Sequence, residues 1–400
     1  MRKIIWFSLW VVLIVLSACQ PMNPPPVENS AVSSPSATPV EQELLASLEA
    51  VERVESTPTP QPAEAKHQPI VLTDALGRTV TFEELPKRVV VAGRGVALLA
   101  DAVYLFPESF ERVVAVSRTS QSPDGDFLAL VDQRLPEKIA FETNVGAEQV
   151  VTARPNVVLL KPYMQEPLGN PLEALGIPVV YLSMETPQEY QRDLQTLGIL
   201  FGNSQRADEV WAFYQQHLDT VSNALKDLTD EQKPRVLLLY YSDRDGQVAF
   251  NVAPKTWLQT ILTGLAGGIP VWTDIELGSG WTKVNLEQIA GWDADRIFII
   301  AYTANPQQVV ENLLQDPQWQ ALRAVQEGHL YAFPRDYYSW DQPDPRWILG
   351  LRYLAYRLHP EAFPNFDLTA EARLFFERFY GLDARTFEEK ILPVFKGDFR

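Results

Sequence analysis

The stretch TPQEYQRDLQTLGILFGNSQRADEVWAFYQQHLDTVSNALKDL (186–228) decides the fold, because it is the longest helical pattern in the chain. Its apolar residues recur at helical spacing from Leu194 to Leu225. Gly202-Asn203-Ser204 interrupts the pattern, and Ser204 can cap a second helix. The stretch therefore predicts a helix of about four turns, a tight break, and a second helix about 30 Å long. We expect this second helix to run as a rod between two lobes.

The sequences on either side of this stretch resemble each other. GAEQVV (146–151) and NVVLL (156–160) align without a gap to NLEQIA (285–290) and DRIFI (295–299), at a constant offset of 139 residues (287 minus 148). Each copy is typical of a short helix, a polar turn and a strand that is covered on both faces. The match indicates a duplicated α/β unit.

The first 68 residues differ in composition from the rest. A basic start and an apolar run to Val15 end in Leu-Ser-Ala-Cys at Cys19, which is the layout of an export signal and too short for a membrane span. This ending resembles the bacterial lipobox, in which Cys19 receives a lipid and becomes the mature N-terminus. Cys19 is the only cysteine, so no internal disulfide forms. Residues 20–68 are rich in Pro, Ser, Thr and Glu, which predicts a disordered tether.

The folded part begins near Pro69. Residues 69–185 are predicted to form an N-terminal α/β lobe, and residues 229–400 a C-terminal α/β lobe with tail helices. Strands that alternate with helices predict a mostly parallel sheet, whose ligands gather at the carboxyl ends of the strands. The formal net charge of −17 argues against a nucleic-acid partner.

Candidate ligand-binding residues follow predicted strands. Arg94 lies at the tip of a Gly-Arg-Gly turn, where Leu98 replaces the third glycine of the dinucleotide fingerprint and excludes that function. Lys161 and Tyr163 come directly after the strand that ends at Leu160. Loops at strand ends of the second half carry aromatic residues that suit a large, partly apolar ligand: Tyr241, Trp272, Trp281, Tyr337, Tyr338 and Trp340.

A family resemblance spans roughly residues 71 to 364. It rests on these segments: TDALGRTVTFEELPKRVVV (73–91), GAEQVVTARPNVVLL (146–160), LGILFGNSQRADEVWAFYQQ (197–216), LAGGIPVWTD (265–274) with WTKVNLEQIAGWDADRIFII (281–300), and DPQWQALRAVQEGHLYAFPRD (316–336) with PDPRWILGLRYLAYRLHPEAF (343–363). The chain resembles the substrate-binding lipoproteins of ABC importers, in the cluster that handles iron–siderophore complexes, haem and cobalamin. The resemblance implies two Rossmann-like lobes joined by one rigid helix, with the ligand cleft between them.

The resemblance also implies partners. One acidic residue on each lobe of these proteins engages arginines of the permease dimer, which works with an ATPase, and Glu148 and Glu287 stand at the matching positions. Two such contacts give avidity to docking. We expect a monomer without an intrinsic cofactor, exported and held by its N-terminal lipid at the outer face of the cytoplasmic membrane or in the periplasm.

The sequence leaves two classes of ligand open. Pockets for ferric siderophores place cationic and phenolic side chains around an anionic complex, for which this chain offers Arg94, Lys161, Tyr163, Arg335 and Tyr338. Cobalamin or haem would use aromatic surfaces, for which it offers Tyr241, Trp272, Trp281 and Trp340. A ligand sensor that is not coupled to import is a further alternative.

Other classes of protein find little support. The chain has no Gly-x-Ser-x-Gly elbow, phosphate-binding loop or His-Glu-x-x-His motif, so we do not expect an enzyme. Its four histidines show no metal-ligand spacing, and no dedicated metal site is expected.

Overall fold

The computed structural model describes residues 68–119, 125–244 and 246–399. Cys19, the predicted export signal and all of the predicted tether except Gln68 lie outside these ranges, so lipidation and anchoring stay predictions. Within the described ranges, no helix combines the length and apolar character needed to cross a membrane.

The N-terminal lobe begins with a hairpin and continues as a parallel sheet. Its strands are β1 (Ile70–Thr73), β2 (Thr79–Phe82), β3 (Val89–Val91), β4 (Val113–Ser117), β5 (Ile139–Phe141), β6 (Val157–Leu160) and β7 (Val179–Tyr181). Its helices are α1 (Val96–Val103), α2 (Ser109–Arg112), α3 (Phe127–Val131), α4 (Ala147–Val151) and α5 (Asn170–Ala174). The β1–β2 hairpin is antiparallel, and the sheet order β5-β4-β3-β6-β7 is parallel throughout. Every residue of β3 and β6 is buried, as their apolar sequences require.

The central stretch forms α6 (Pro187–Phe201) and α7 (Ser204–Ala224), which confirms the predicted break between two helices. Gly202 ends α6 with φ of 68°, a left-handed conformation that glycine adopts without steric cost. The N-cap differs from the prediction. Asn203 caps α7 by accepting a hydrogen bond from the backbone N–H of Arg206 (3.0 Å), and Ser204 is the first helical residue.

Helix α7 contacts both lobes. The Arg206 side chain donates to the carbonyl of Leu105 in the N-terminal lobe (2.8 Å). Two turns further along, the Tyr214 hydroxyl donates to the carbonyl of Pro345 in the C-terminal lobe (2.6 Å). These contacts support the predicted role of the helix as a rod between lobes.

The C-terminal lobe contains a mixed sheet. Its strands are β8 (Arg235–Arg244), β9 (Gln247–Val252), β10 (Ile269–Pro270), β11 (Thr282–Val284), β12 (Arg296–Ala301) and β13 (Leu330–Ala332). Its helices are α8 (Leu258–Leu265), α9 (Leu286–Trp292), α10 (Pro306–Gln315), α11 (Pro317–Gln320), α12 (Arg323–Gln326), α13 (Trp347–Leu358), α14 (Leu368–Tyr380) and α15 (Ala384–Thr386). The sheet order is β11-β9-β8-β12-β13, and β10 pairs with the start of β8.

This sheet departs from the predicted parallel pattern on one side. Strand β12 is parallel to its neighbours β8 and β13. Strand β9, by contrast, is antiparallel to both of its neighbours, β8 and β11. The apolar run RVLLLY (235–240) predicts a strand that ends at Tyr240 with Tyr241 at its tip, but β8 continues to Arg244 and turns back at Gly246, where φ is 74°. The sequence Asp-Gly at 245–246 is a hairpin signal, and it explains the antiparallel return.

The repeated unit is present in both lobes. Helix α4 and strand β6 form one copy, and α9 and β12 form the other. In both copies a glutamine in the first turn accepts from the N-cap backbone N–H: Gln149 from Gly146 (3.2 Å) and Gln288 from Asn285 (3.0 Å). The left-handed residues Arg154 (φ 49°) and Asp293 (φ 43°) also stand 139 positions apart (293 minus 154). The similarity therefore extends to caps and backbone angles.

Candidate ligand-binding site

Four aromatic side chains cluster at the carboxyl end of β12 and beside the middle of β8. Tyr240 stacks on Tyr302 with ring centroids 4.5 Å apart, and Trp281 lies 4.8 Å from Tyr240. Trp257 meets Trp281 edge to face at 5.5 Å. All four are half-buried, so each ring packs against its neighbours and keeps an exposed part. We call these residues the aromatic wall; rings in this arrangement suit a large, partly apolar ligand.

A buried carboxylate supports the aromatic wall from below. Asp341 accepts hydrogen bonds from the Tyr302 hydroxyl (2.8 Å), Gln259 Nε2 (3.0 Å) and the Ser339 hydroxyl (2.5 Å). Burial raises the pKa of Asp341, and burial together with the Asp341 charge raises the pKa of Tyr302. Tyr302 thus stays a neutral phenol whose proton is committed to Asp341, which fixes the orientation of its ring.

The N-terminal lobe contributes Arg94 and Tyr163 at the carboxyl ends of β3 and β6. Arg94 is exposed, and its guanidinium forms no hydrogen bond or ion pair with the residues that the structure describes. The Tyr163 residue is 57% exposed, and its hydroxyl donates to the Arg94 carbonyl (3.1 Å). A Cβ on Gly95 would lie 2.2 Å from that hydroxyl oxygen, so the close approach requires glycine.

Lys161 is placed differently from the prediction. Its side chain is 1% exposed, and Nζ lies 2.7 Å from the Glu185 carboxylate. Nζ also donates to the carbonyl of Ser183. Lys161 therefore ties the end of β6 to the loop that follows β7, and it presents no charge to a ligand in this structure.

Three more predicted residues lie in the interior. Arg335 is 1% exposed and donates to backbone carbonyls, including that of Tyr302 (2.6 Å). Trp340 is fully buried and donates through Nε1 to Asp336 (3.2 Å), and Trp272 is fully buried and donates to the carbonyl of Ala253 (2.9 Å). The loop after β13 folds beneath the surface of the lobe, so Arg335 and Trp340 are not accessible to a ligand in this structure.

Tyr241 and Tyr338 lie apart from the aromatic wall. Successive residues of a strand point to opposite faces, so Tyr241 points away from the side chain of Tyr240. Its ring packs 5.8 Å from Phe250 instead. Tyr338 is 1% exposed and lines a cavity of about 440 Å³ with mostly apolar residues of α1, α3, β4 and β5. Its own lobe is the C-terminal one, so this cavity lies where the lobes meet.

Of the four neighbouring rings, only Trp281 is among the ligand residues predicted from the sequence, which do not include Tyr240, Trp257 or Tyr302. The sequence patterns predict Trp257 at the start of a helix and Tyr240 at the end of a strand. The Asp-Gly hairpin signal at 245–246 would have shown that β8 continues and that Tyr240 and Tyr241 face opposite ways.

The two predicted docking residues occupy equivalent places. Glu148 and Glu287 are both exposed in the first turn of their helices, α4 and α9. Neither carboxylate forms a hydrogen bond or an ion pair with the described part of the chain. Each lobe thus presents one accessible negative charge near a positive helix end.

The chain matches the family model described as "Periplasmic binding protein" over residues 89–337. It belongs to this family. The family and its relatives are solute-binding proteins rather than enzymes, and the ABC-importer type of substrate-binding protein fits the two-lobed α/β fold.

Individual relatives are distant. The iron-uptake system-binding protein of Bacillus subtilis is 22% identical over 223 residues, which cover 54% of this chain and 66%, just under two thirds, of that relative. The molybdate-binding protein MolA of Haemophilus influenzae is 22% identical over 337 residues, which cover 78% of this chain and 90% of the relative. A solved periplasmic solute binding protein from Veillonella parvula superposes with a TM-score of 0.65 at 21% identity, over 82% of this chain and 98% of that one. These similarities show the fold. The relatives are named for different ligands, so the ligand of this chain has to be inferred from its own site.

Proposed function

We propose that this chain is a membrane-anchored substrate-binding protein that captures a metal chelate of the iron–siderophore type between its lobes and delivers it to an ABC permease. The aromatic wall carries the proposal, because four adjoining half-exposed rings suit an organic ligand better than a bare ion. The exposed guanidinium of Arg94 supplies positive charge for an anionic chelate. The iron-uptake relative supports the same ligand class.

A second candidate ligand is a corrinoid or haem. The aromatic wall favours it, since rings stack well on a planar macrocycle. The burial of Lys161 and Arg335 also leaves Arg94 as the exposed member of the predicted cations, which suits a ligand of low charge.

Ligand binding is tested by tryptophan fluorescence of the full chain, titrated with ferric catecholate, ferric hydroxamate, haem, cobalamin and molybdate. Saturable quenching by one ferric siderophore supports the first candidate, and quenching by cobalamin or haem supports the second. Trp281→Ala should weaken the affinity about two- to tenfold, because an aromatic contact with the ligand is worth about 0.5–1.5 kcal/mol. The matched control Trp272→Phe removes a buried indole outside the aromatic wall and should leave the affinity unchanged. Binding of molybdate alone would refute the organic-chelate proposal.

Delivery to a permease is tested at Glu148 and Glu287. Replacing both by arginine should abolish uptake of the bound ligand, because two attractive contacts become repulsive, and should leave affinity in solution unchanged. Glu83→Arg with Glu311→Arg, two exposed carboxylates elsewhere, is the control and should retain uptake. Uptake that survives the first pair of changes would rule out docking through these residues. Absence of ligand uptake by the unaltered chain would favour the sensor alternative.

The anchor is tested at Cys19. Incorporation of labelled fatty acid into the wild-type chain and its loss in Cys19→Ser would support lipidation. Labelling that persists in the variant would contradict it.

A further inference from the structure

Three aspartates surround one arginine at the boundary between the lobes. Arg346 Nη1 lies 2.5 Å from Asp101 Oδ2 and 3.4 Å from Asp344 Oδ2, and Arg346 Nε lies 2.8 Å from Asp336 Oδ1. All four side chains are at most 1% exposed. Asp101 belongs to α1 of the N-terminal lobe, whereas Arg346 precedes α13 of the C-terminal lobe. We call these four residues the inter-lobe cluster.

Aromatic side chains from both lobes enclose the inter-lobe cluster. The guanidinium carbon of Arg346 lies 4.2 Å from the ring centroid of Phe127 in α3 and 5.4 Å from that of Phe376 in α14. The hydroxyl of Tyr380, also in α14, donates to the backbone carbonyl of Asp101 (3.0 Å). The charges are therefore held in a medium of low polarity, in which they interact strongly.

The charges of the cluster do not balance. If all groups are ionised, three carboxylates and one guanidinium leave a net charge of −2. Asp336 is well satisfied, since it also accepts from the backbone N–H of Tyr338 (3.0 Å) and from Trp340 Nε1 (3.2 Å). Asp101 Oδ1, by contrast, has no hydrogen-bond partner among the described residues. Burial of two uncompensated negative charges is so costly that a proton is retained, and Asp101 and Asp344 are the carboxylates left to hold it.

We propose that the inter-lobe cluster is a proton-linked latch, which holds the two lobes together while Asp101 and Asp344 retain a proton and loosens when that proton is lost. This inference goes beyond the proposed function and needs neither the ligand nor the permease. Other titratable groups near the cluster are Asp126, Tyr190, Tyr214, Tyr338 and Tyr380. Burial raises the pKa of each tyrosine, so these stay neutral, and the nearby Asp126 charge further favours the protonated form.

The direction of the pH effect follows from burial. Burial, opposed by Arg346, raises the pKa of Asp101 from 3.8 to about 7 and that of Asp344 well above its usual value. When the lobes separate, water restores the ordinary pKa of both groups. Between about pH 4 and pH 7 the joined state therefore holds a proton that the separated state has lost. For each such proton, separation becomes about tenfold more favourable per pH unit over this window.

The experiment measures hydrogen exchange of α1 and α13 in the full chain at pH 5, 6 and 7, corrected for the intrinsic exchange rate. We expect the wild-type opening constant to rise about tenfold per pH unit. Asp101→Asn and Asp344→Asn each remove one negative charge at nearly constant shape. In each variant the opening constant should rise less than about twofold per pH unit. Glu371→Gln breaks an ion pair with Arg352 (2.6 Å) that lies within the C-terminal lobe, and this control should keep the wild-type dependence.

Three results would overturn the proposal. The corrected protection of α1 and α13 in the wild type is the same at all three pH values; the two asparagine variants keep the wild-type dependence; or Glu371→Gln loses it as fully as they do. If one asparagine variant does not fold, the other and the wild-type titration still decide. His217 and His329, whose pKa values burial lowers, have the same surroundings in the wild type and in both asparagine variants and cancel in that comparison.

Discussion

Gly350 in α13 is the position at which one added methyl group should do most damage to the C-terminal lobe. A Cβ at this residue would lie 2.2 Å from the carbonyl oxygen of Trp340 and 3.5 Å from the ring of Phe333. The contact seats α13 against the loop that carries Asp341 below the aromatic wall. Gly264 in α8 provides the matched control, because a Cβ there meets no atom within 4 Å.

The expected effects have opposite signs. Alanine is more stable than glycine in a helix by about 0.5–1 kcal/mol, so Gly264→Ala should raise the free energy of unfolding by about 0.5 kcal/mol near its helix end. At Gly350 the same gain is outweighed by overpacking, which costs about 1–3 kcal/mol or more when the neighbour cannot rotate away. A backbone carbonyl is such a neighbour. We therefore expect Gly350→Ala to lower the free energy of unfolding by about 1–3 kcal/mol.

Urea unfolding followed by tryptophan fluorescence measures both variants against the wild type. The midpoint should fall for Gly350→Ala and rise slightly for Gly264→Ala, with similar slopes. Equal midpoints for the two variants would refute the reasoning, because they would show that α13 moves away from the loop at no cost. A titration with the proposed metal chelate adds a second measurement: Gly350→Ala should also weaken its binding, because the change displaces Asp341.

Four further outcomes follow from backbone strain and buried hydrogen bonds. Arg154→Gly should raise the free energy of unfolding by about 1 kcal/mol in thermal unfolding, because it relieves a left-handed φ of 49°. Asp293→Gly should raise the free energy of unfolding by less, because it also removes a 2.9 Å ion pair with Arg323. Equal increases for the two variants would contradict this. Asp193→Asn should cost about 1–3 kcal/mol in urea unfolding, because Oδ2 accepts two backbone N–H groups (2.6 and 2.8 Å) while Oδ1 accepts from Arg192 Nε (2.8 Å), and an amide has only one acceptor oxygen for these two sides; an unchanged midpoint would refute that role. Tyr302→Phe should weaken chelate binding several-fold in the fluorescence titration, and unchanged affinity would remove this ring from the site.

The fold followed closely from local patterns. The break at Gly202, the two helices around it and the repeated unit were all predicted, because periodicity, caps and glycine act over a few neighbouring residues. The antiparallel ribbon of β8, β9 and β11 was missed, although its turn carries an Asp-Gly signal. The predicted N-cap was one residue late, since asparagine and serine cap helices about equally well and the local geometry chose Asn203.

By itself, the sequence determined which segments form helices and strands, that the chain has two related halves, and which strand ends carry reactive or aromatic residues. The tertiary structure alone decided which of those side chains reach the surface. Lys161 and Arg335 follow strands as predicted, but both side chains are buried. Lys161 pairs with the carboxylate of Glu185, and Arg335 donates to backbone carbonyls such as that of Tyr302. The inter-lobe cluster likewise joins residues 245 positions apart. Burial depends on what packs against a residue after the chain has folded back on itself, and no local pattern carries that information.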